Sequence, residues 1–276
     1  KNIWATAYQA HPYHHSTIGW RSDIENVPTE RLKEFYDTFY WPNNATVTVI
    51  GDFDKAKTLV LLDQKFGSIS KSPHTIPEMY TTEPVQEGPR RITVKRAGEM
   101  PIIGIAHKIP EGRNKDIYAL QILGRILGYG KTSRFYKRFI DTGLAADVNV
   151  WSYPLHDNGL FITYLFIAGD DPCEEVEKQI LDEYAKIISD GVDVEELQRA
   201  KSQIKAQTAF TRDGTYSVAS NLNEAIALGD WTYYTTFLKR IKNVSTEDIQ
   251  RVAKTYLKED QSTTGFFIPK PSDQNG

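Results

Sequence analysis

Cysteine is nearly absent from this sequence: Cys173 is the only one in 276 residues. A lone cysteine forms no intrachain disulfide, and it excludes a cysteine-rich zinc site and a CxxC redox motif. Long apolar runs are also missing, since none approaches the roughly 18–20 residues that span a bilayer. The formal net charge is −3, so no excess of positive charge favours a nucleic acid or an anionic membrane as partner.

What remains is the composition of an ordinary globular chain, with 40% apolar and 25% charged residues. This composition supports one or two domains of ordinary size. The chain opens on Lys1-Asn2-Ile3, inside an apparent helix and without methionine. We therefore expect a fragment of a longer protein, for which the lack of a recognisable signal peptide says little about the compartment.

The first 70 residues contain one clear helix–strand–helix unit. Thr29 and Glu30 open a helix whose apolar residues recur at helical spacing up to Tyr40. The β-branched run 46–50 predicts a strand, and a second helix is expected over about 55–66.

Four prolines and little periodicity mark residues 71–89 as an extended linker. Beyond it, strand patterns appear in RRITVKR, PIIGIAHKI, ADVNVWSY and GLFITYLFIAG, with a helix from about 115 to 127. The remainder predicts helices followed by a last strand, TTGFFI; the helices cover 172–189, 193–212, 215–228, 231–240 and 246–258.

The two ends of the chain share a pattern, because TERLKEFYDTFYW at 29–41 resembles TEDIQRVAKTYLK at 246–258. If this is an internal repeat, residues 90–270 form one complete copy, followed by a tail at 271–276. Residues 1–70 would then be the C-terminal part of a preceding copy, of which about 125 residues lie upstream. The alternative is that any two amphipathic helix–strand units look alike.

Three histidines, His11, His14 and His15, fall within five positions, and histidine is the commonest metal ligand. A spacing of four would place His11 and His15 on one face of a helix, as in HExxH zinc sites. Pro12 interrupts that helix and Gly19 follows, so the segment favours a loop without a metal site. Another histidine, His107, ends a strand, where we expect a satisfied and partly buried side chain.

The stretch GRILGYGKTSRF resembles a P-loop, but its spacing fails because Arg125 stands where the first glycine is required. We predict instead a helix–turn–helix corner at Gly128 and Gly130, with Thr132 or Ser133 capping the next helix. No serine-hydrolase elbow, zinc-binding motif or cysteine–histidine pair is present, so no catalytic residue and no metal ligand is assigned.

Five segments in order resemble the M16 zinc metallopeptidases, the relatives of pitrilysin, insulinase and mitochondrial processing peptidase, and in particular their shorter bacterial members. The segments are AHPYHHSTIGWRSDIENVPTERLKEFYDTFYWPNNATVTVIGDFD, GKTSRFYKRFIDTGLA, DNGLFITYLF, EELQRAKSQIKA and VSTEDIQRVAKTYL. The residues that mark the family here are His11, Pro12, Tyr13, Gly19, Tyr40, Pro42, Asn43, Gly51, Asp52, Ser133, Arg134, Gly143 and Leu144.

The resemblance implies an α+β fold, a LuxS-like two-layer sandwich of a mostly antiparallel sheet with helices on one face. Two such domains in tandem form half of a clamshell. It also implies a zinc ion held by an H-x-x-E-H helix of the first domain and a downstream glutamate, where it polarises the scissile carbonyl and activates water. None of these ligands is present, so we expect zinc in the full-length parent, none bound to this chain, and no hydrolysis by this chain alone.

A second difference from the family pattern concerns the residues that bind the peptide substrate. Many relatives contact it with an arginine and a tyrosine in a second-domain segment like R-E-x-x-G-L-A-Y. Here Ile140 and Ala146 stand at those positions, allowing a one-residue gap, and the role is not carried over to Arg134 or Arg138. The substrate-binding residues therefore stay unknown. In paired bacterial systems one subunit has the zinc motif and the other this pair, which suggests that the parent is the zinc-bearing subunit.

Two functional hypotheses follow from the resemblance. The chain is part of a zinc metalloendopeptidase, forming chamber wall and a substrate-enclosing second domain, or it belongs to a non-catalytic M16-like scaffold or partner subunit. The expected partners are a peptide or unfolded protein bound as an added strand on a sheet edge, the missing part of the first domain, and another M16 subunit in a homo- or heterodimer. Because bacterial members are often exported, we expect an extracytoplasmic, periplasmic location.

Overall fold

The computed structural model describes residues 1–169 and 172–270. The tail expected at 271–276 lies outside the described residues. The helices of the described part are α1 (Asn2–Ala7), α2 (Arg21–Asn26), α3 (Thr29–Phe39), α4 (Lys55–Phe66), α5 (Asp116–Gly128), α6 (Cys173–Asp190), α7 (Val194–Phe210), α8 (Thr215–Ala227), α9 (Thr232–Asn243) and α10 (Thr246–Tyr256).

The strands form one mixed sheet. They are β1 (Arg90–Ala97), β2 (Ile102–Lys108), β3 (Ala145–Tyr153), β4 (Leu160–Ile167) and β5 (Ser262–Lys270). Their order across the sheet is β1-β5-β2-β4-β3, in which β1 and β5 run parallel and all other neighbours antiparallel. The sheet is therefore mostly antiparallel, with β1 and β3 at its two edges.

A layer of helices covers one face of this sheet. Leu120 and Leu123 of α5, Phe161 of β4 and Val252 of α10 are all fully buried in the resulting core. The apolar residues of α5 recur at helical spacing and those of β4 at alternate positions, so one side of each element faces the core. The α+β fold class with helices layered on a mostly antiparallel sheet is thereby confirmed.

The opposite face of the sheet holds α1, which belongs to residues 1–70, here called the first unit; residues 90–270 are called the second unit. Ile3 of α1 lies against Gly104 of β2 and Gly265 of β5, which are cross-strand partners. A Cβ atom at either glycine would come within 3 Å of the Ile3 side chain. The absence of side chains at this pair of positions is what lets α1 approach the sheet so closely.

Residues 12–85 differ from the domain core because every one of them, taken as a whole residue, keeps part of its surface exposed. The strand predicted at 46–50 is wrong: this run has no strand partner among the described residues, and a strand exists only through hydrogen bonds to a neighbour. Its contact with the second unit is a hydrogen bond of 2.6 Å from the Thr48 hydroxyl to Asn223 of α8.

The predicted corner after α5 is confirmed. Gly130 has a φ of +76°, and the Ser133 hydroxyl donates to the Gly130 carbonyl and accepts from the Tyr136 N–H. The next turn, Tyr136–Ile140, is π-helical. The expectation for His107 is wrong, because its side chain is fully buried and neither ring nitrogen has a hydrogen-bond partner among the described residues.

Candidate functional site

The histidine-rich segment holds no metal site. The Nδ1 atom of His11 accepts the Tyr13 N–H at 3.2 Å, so the Nε2 atom carries the hydrogen and donates to Asp157 at 3.3 Å. His14 Nδ1 lies 2.7 Å from the His11 carbonyl oxygen. No group of three or more histidine, cysteine, aspartate or glutamate side chains in 1–169 and 172–270 could hold a metal ion. These residues therefore do not fit a zinc ion.

Residues 8–13 bind the turn between β3 and β4 through hydrogen bonds. The Tyr8 hydroxyl donates to the Asn158 carbonyl at 2.7 Å, and the Tyr13 hydroxyl accepts the Asp157 N–H at 3.3 Å. Burial raises the pKa of both tyrosine hydroxyls, which keeps them neutral. Together with the His11–Asp157 contact, these bonds join the first unit to the second. The family-marker residues His11-Pro12-Tyr13 therefore have a structural role.

Glu83 anchors this segment from the side of the linker. Its carboxylate accepts the backbone N–H groups of Gln9, Ala10 and His11 at 2.8, 2.9 and 3.0 Å, and the Lys108 ammonium at 2.8 Å. Burial pushes the pKa of the Glu83 carboxyl upward, but Lys108 and the backbone donors outweigh it and lower the pKa to about 2. The sequence gives no sign of this role, because the linker pattern around Glu83 predicts only extended chain.

Arg90 completes the anchor at the end of α1. Its guanidinium donates to the Thr6 and Ala7 carbonyls at 3.0 and 2.7 Å, which satisfies two of the carbonyl groups left free where the helix ends. A cation at this position also favours the negative end of the helix dipole.

The second-unit family markers are structural. Arg134 donates to both Glu196 carboxylate oxygens at 2.8 and 2.7 Å, and so joins the turn after α5 to the start of α7. Gly143 has a φ of +76° in the turn before β3, and Leu144 packs on the core beside it.

The first-unit markers lie apart from these. Tyr40 is exposed, Pro42 begins a 3₁₀ turn, and Asn43 accepts the Ser72 N–H at 2.9 Å. Gly19, with a φ of +77°, and the turn at Gly51 and Asp52 complete the set. The structure therefore brings His11 and Tyr13 together but does not gather the markers into one site.

Ile140 and Ala146 flank the start of β3. Ile140 ends the π-helical turn and packs against the core, whereas Ala146 is exposed at a bulge in β3. Neither side chain can donate a hydrogen bond, so this segment cannot contact a peptide in the way that arginine and tyrosine do.

Strand β3 carries the best candidate binding site. It pairs with β4, and within the described residues no other strand pairs with it. Alternate N–H and C=O groups of an edge strand point outward. On β3 the Val148 N–H donates to the Asp147 carboxylate at 2.9 Å. The edge faces a groove made of two adjoining cavities of about 430 and 900 Å³, which share Gln121, Trp151 and Ser152 in their walls.

Two glycines of α5 bring that helix down onto β3 beside the groove. A Cβ atom at Gly128 would lie 2.5 Å from Val150 Cγ2, and one at Gly124 would lie 3.8 Å from Val150 Cγ1. Their spacing of four residues puts both on one face of α5. The sequence pattern predicts Gly128 in the turn after the helix, whereas it is the last residue of α5 and packs on β3; the spacing of four between the two glycines was the available signal of this close packing.

The fold and these contacts define an α+β domain in which one sheet edge, β3, faces a groove, and in the described residues there is no metal ligand set. A family profile described as "Peptidase M16 inactive domain" matches residues 26–204. The chain belongs to this family of M16 peptidase domains. No helix of the described residues is long and apolar enough to cross a membrane.

Named relatives agree with this assignment. The chain is 32% identical over 270 residues to "Zinc protease PqqE" of Helicobacter pylori, covering 96% of this chain and 60% of that protein. A crystal structure of a protease from Helicobacter pylori matches with a TM-score of 0.91 at 29% identity, covering 97% of this chain and 66% of that one. A chain of complex III2 from Candida albicans shares the fold, with a TM-score of 0.84, 18% identity and coverage of 96% and 65%.

Proposed function

We propose that this chain is the non-catalytic part of an M16 zinc endopeptidase, in which it forms chamber wall and a second domain that holds the peptide substrate. The free edge of β3 and its groove are the observation that carries this proposal. A peptide that adds to this edge gains backbone hydrogen bonds whatever its sequence, as a peptidase for unfolded chains requires. Zinc and the general base would come from the remaining part of the enzyme.

The exposed apolar surface of residues 12–85 supports a first domain that is completed by further chain. Leu32, Phe35 and Tyr36 of α3 are each more than half exposed, as are Leu59 and Val60 of α4. Full burial of a fully exposed apolar side chain contributes about 1.5–3 kcal/mol, and these side chains would gain a part of that, so both helices are stabilised by a covering layer. We assign that layer to the rest of the first M16 domain, with residues 1–70 as its C-terminal part, 71–89 as linker and 90–270 as the second domain.

Amide hydrogen exchange tests the docking edge. We expect an unfolded peptide to slow exchange across β3 while leaving β1, the opposite edge of the same sheet, unchanged. Strand β1 is the matched internal control because it lies at an edge but does not line the groove. Equal protection of both edges, or protection of β1 alone, would contradict the proposal.

The alternative is a non-catalytic scaffold or partner subunit, which the shared fold with a chain of complex III2 keeps open. The replacement of the arginine–tyrosine pair by Ile140 and Ala146 favours the zinc-bearing subunit of a pair over its partner. Zinc analysis of the full-length gene product separates the two: one equivalent of zinc supports the peptidase, and a product without zinc supports the scaffold.

A further inference from the structure

The wider of the two groove cavities, at the end of β3, has an aromatic wall. Trp151 and Tyr153 line it from the strand, and Leu228, Tyr233 and Phe237 line it from the segment of α8 and α9. Its volume of about 900 Å³ lies in the range of ligand-binding clefts, roughly 300–1,000 Å³. It is large enough for a bulky side chain of a peptide on the β3 edge.

The wall is held in place before any ligand binds. The Gln121 amide donates to the Tyr233 hydroxyl at 2.8 Å, and the Tyr233 ring stacks on Tyr118 with a centroid distance of 5.6 Å and an interplanar angle of 21°. The Tyr233 and Phe237 rings are also 5.6 Å apart. A preformed wall loses little conformational freedom when an apolar group enters it, which favours binding.

One polar group in the wall has no partner. The Ser152 hydroxyl oxygen is buried and makes no hydrogen bond within the described residues. Buried hydroxyls are nearly always satisfied, so this oxygen marks a place in the wall where hydrogen bonding is incomplete. Ser152 lies between Trp151 and Tyr153 and lines both cavities of the groove.

The charges of the cavity distinguish among side chains. Of the described residues that line it, Glu224 is the one acid, and none is lysine or arginine. An acidic side chain placed here would lose hydration beside a like charge, and the one histidine of the lining, His156, already lies 3.5 Å from the Asp157 carboxylate. A neutral apolar side chain meets no such penalty.

We propose that this cavity is a specificity pocket that accepts a large apolar side chain, aromatic by preference, from a peptide docked on β3, and that it rejects acidic side chains at that position. The inference rests on the proposed function, since it requires a peptide on the β3 edge. It directs the groove toward unfolded segments, which expose the apolar residues that folded proteins bury.

The test uses fluorescein-labelled ten-residue peptides that are identical except for phenylalanine, serine or glutamate at one central position, with anisotropy measured on the whole chain. We expect the phenylalanine peptide to bind about tenfold tighter than the serine peptide, a difference of about 1.4 kcal/mol, and the glutamate peptide to bind more weakly than either. The variant Ala227→Trp fills the cavity from an exposed helical position and should bring the phenylalanine and serine peptides within about twofold of each other.

Ala185→Trp is the matched control, because Ala185 is an exposed alanine of α6 that does not line the groove. It should keep the preference for phenylalanine. If Ala227→Trp fails to fold, Trp151→Ala replaces it, with the same loss of preference expected. Equal binding of the three peptides would overturn the specificity pocket and leave docking on β3 intact, whereas binding of none would overturn docking itself.

Discussion

At the scale of single residues, His107 is the clearest case of a side chain set by its surroundings. It lies on β2 in the helix-covered core, with its ring at 76° to that of Tyr184 and 5.7 Å away. Burial disfavours the charged imidazolium and lowers the pKa of His107 to about 4. The folded protein therefore holds this histidine neutral well below the pH at which an unfolded chain takes up the proton.

The sign of the effect on stability follows directly. Between pH 6.5 and about 4 the unfolded chain binds a proton at His107 that the folded protein does not. Above pH 6.5 His107 is neutral in both states and does not change the free energy of unfolding. As the pH drops to about 4, protonation of the unfolded chain lowers that free energy by about 3 kcal/mol. His107→Phe should remove this part of the pH dependence, as measured by urea unfolding at several pH values. His74→Gln, at an exposed linker histidine, is the control; parallel profiles for His107→Phe and the parent chain would refute this account.

Glu83 gives a second prediction at this scale. Glu83→Gln keeps the shape but removes the charge that three backbone N–H groups and Lys108 face, so we expect unfolding to become easier by about 2–3 kcal/mol. Segment 8–13 should then exchange its amide hydrogens faster than the rest of the chain. Glu78→Gln, at an exposed carboxylate of the same linker, should change neither quantity. An unaltered exchange rate at Gln9 to His11 would argue against the anchor.

At the scale of elements, the contact of α5 with β3 depends on a missing side chain. Gly128→Ala would place a methyl group 2.5 Å from Val150 Cγ2, so one of the two elements must shift. We expect a loss of stability of about 1–3 kcal/mol, measured by thermal or urea unfolding, and partial recovery in the double variant Gly128→Ala/Val150→Ala. Gly88→Ala, where the new methyl group meets no atom within 4 Å, is the matched control.

The local sequence pattern was sufficient to predict most helices and strands. The helices from α5 to α10 and the strands from β1 to β5 lie within a few residues of their predicted bounds, because apolar spacing and capping residues act over short stretches of chain. The strand at 46–50 failed for the complementary reason. Its composition is right, but a strand depends on a partner, and composition does not reveal whether one is present.

The contacts around the candidate site could not be predicted from the sequence, for a related reason. His11 meets Asp157 across 146 positions of sequence, and Glu83 meets Gln9 across 74. Neither residue lies in a motif that names its partner, so both contacts follow only from the fold. The β3 groove likewise joins residues of α5, α8 and α9 that no spacing rule connects.

At the scale of the whole molecule, the chain has one well-packed domain and one segment whose apolar surface lies open. The sheet and its helices are tied to the first unit through α1, Glu83 and the β3–β4 turn. The described residues of the chain contain no metal ligand set. Under the proposed function this domain therefore holds a peptide and leaves its cleavage to the zinc-bearing part of the enzyme.

The most direct measurement of that claim follows an internally quenched peptide mixed with this chain in the presence and absence of added Zn²⁺. Cleavage raises the fluorescence, while binding is followed in parallel by anisotropy of the labelled peptide. We predict binding without cleavage under both conditions. Zinc-dependent cleavage by this chain alone would contradict the account.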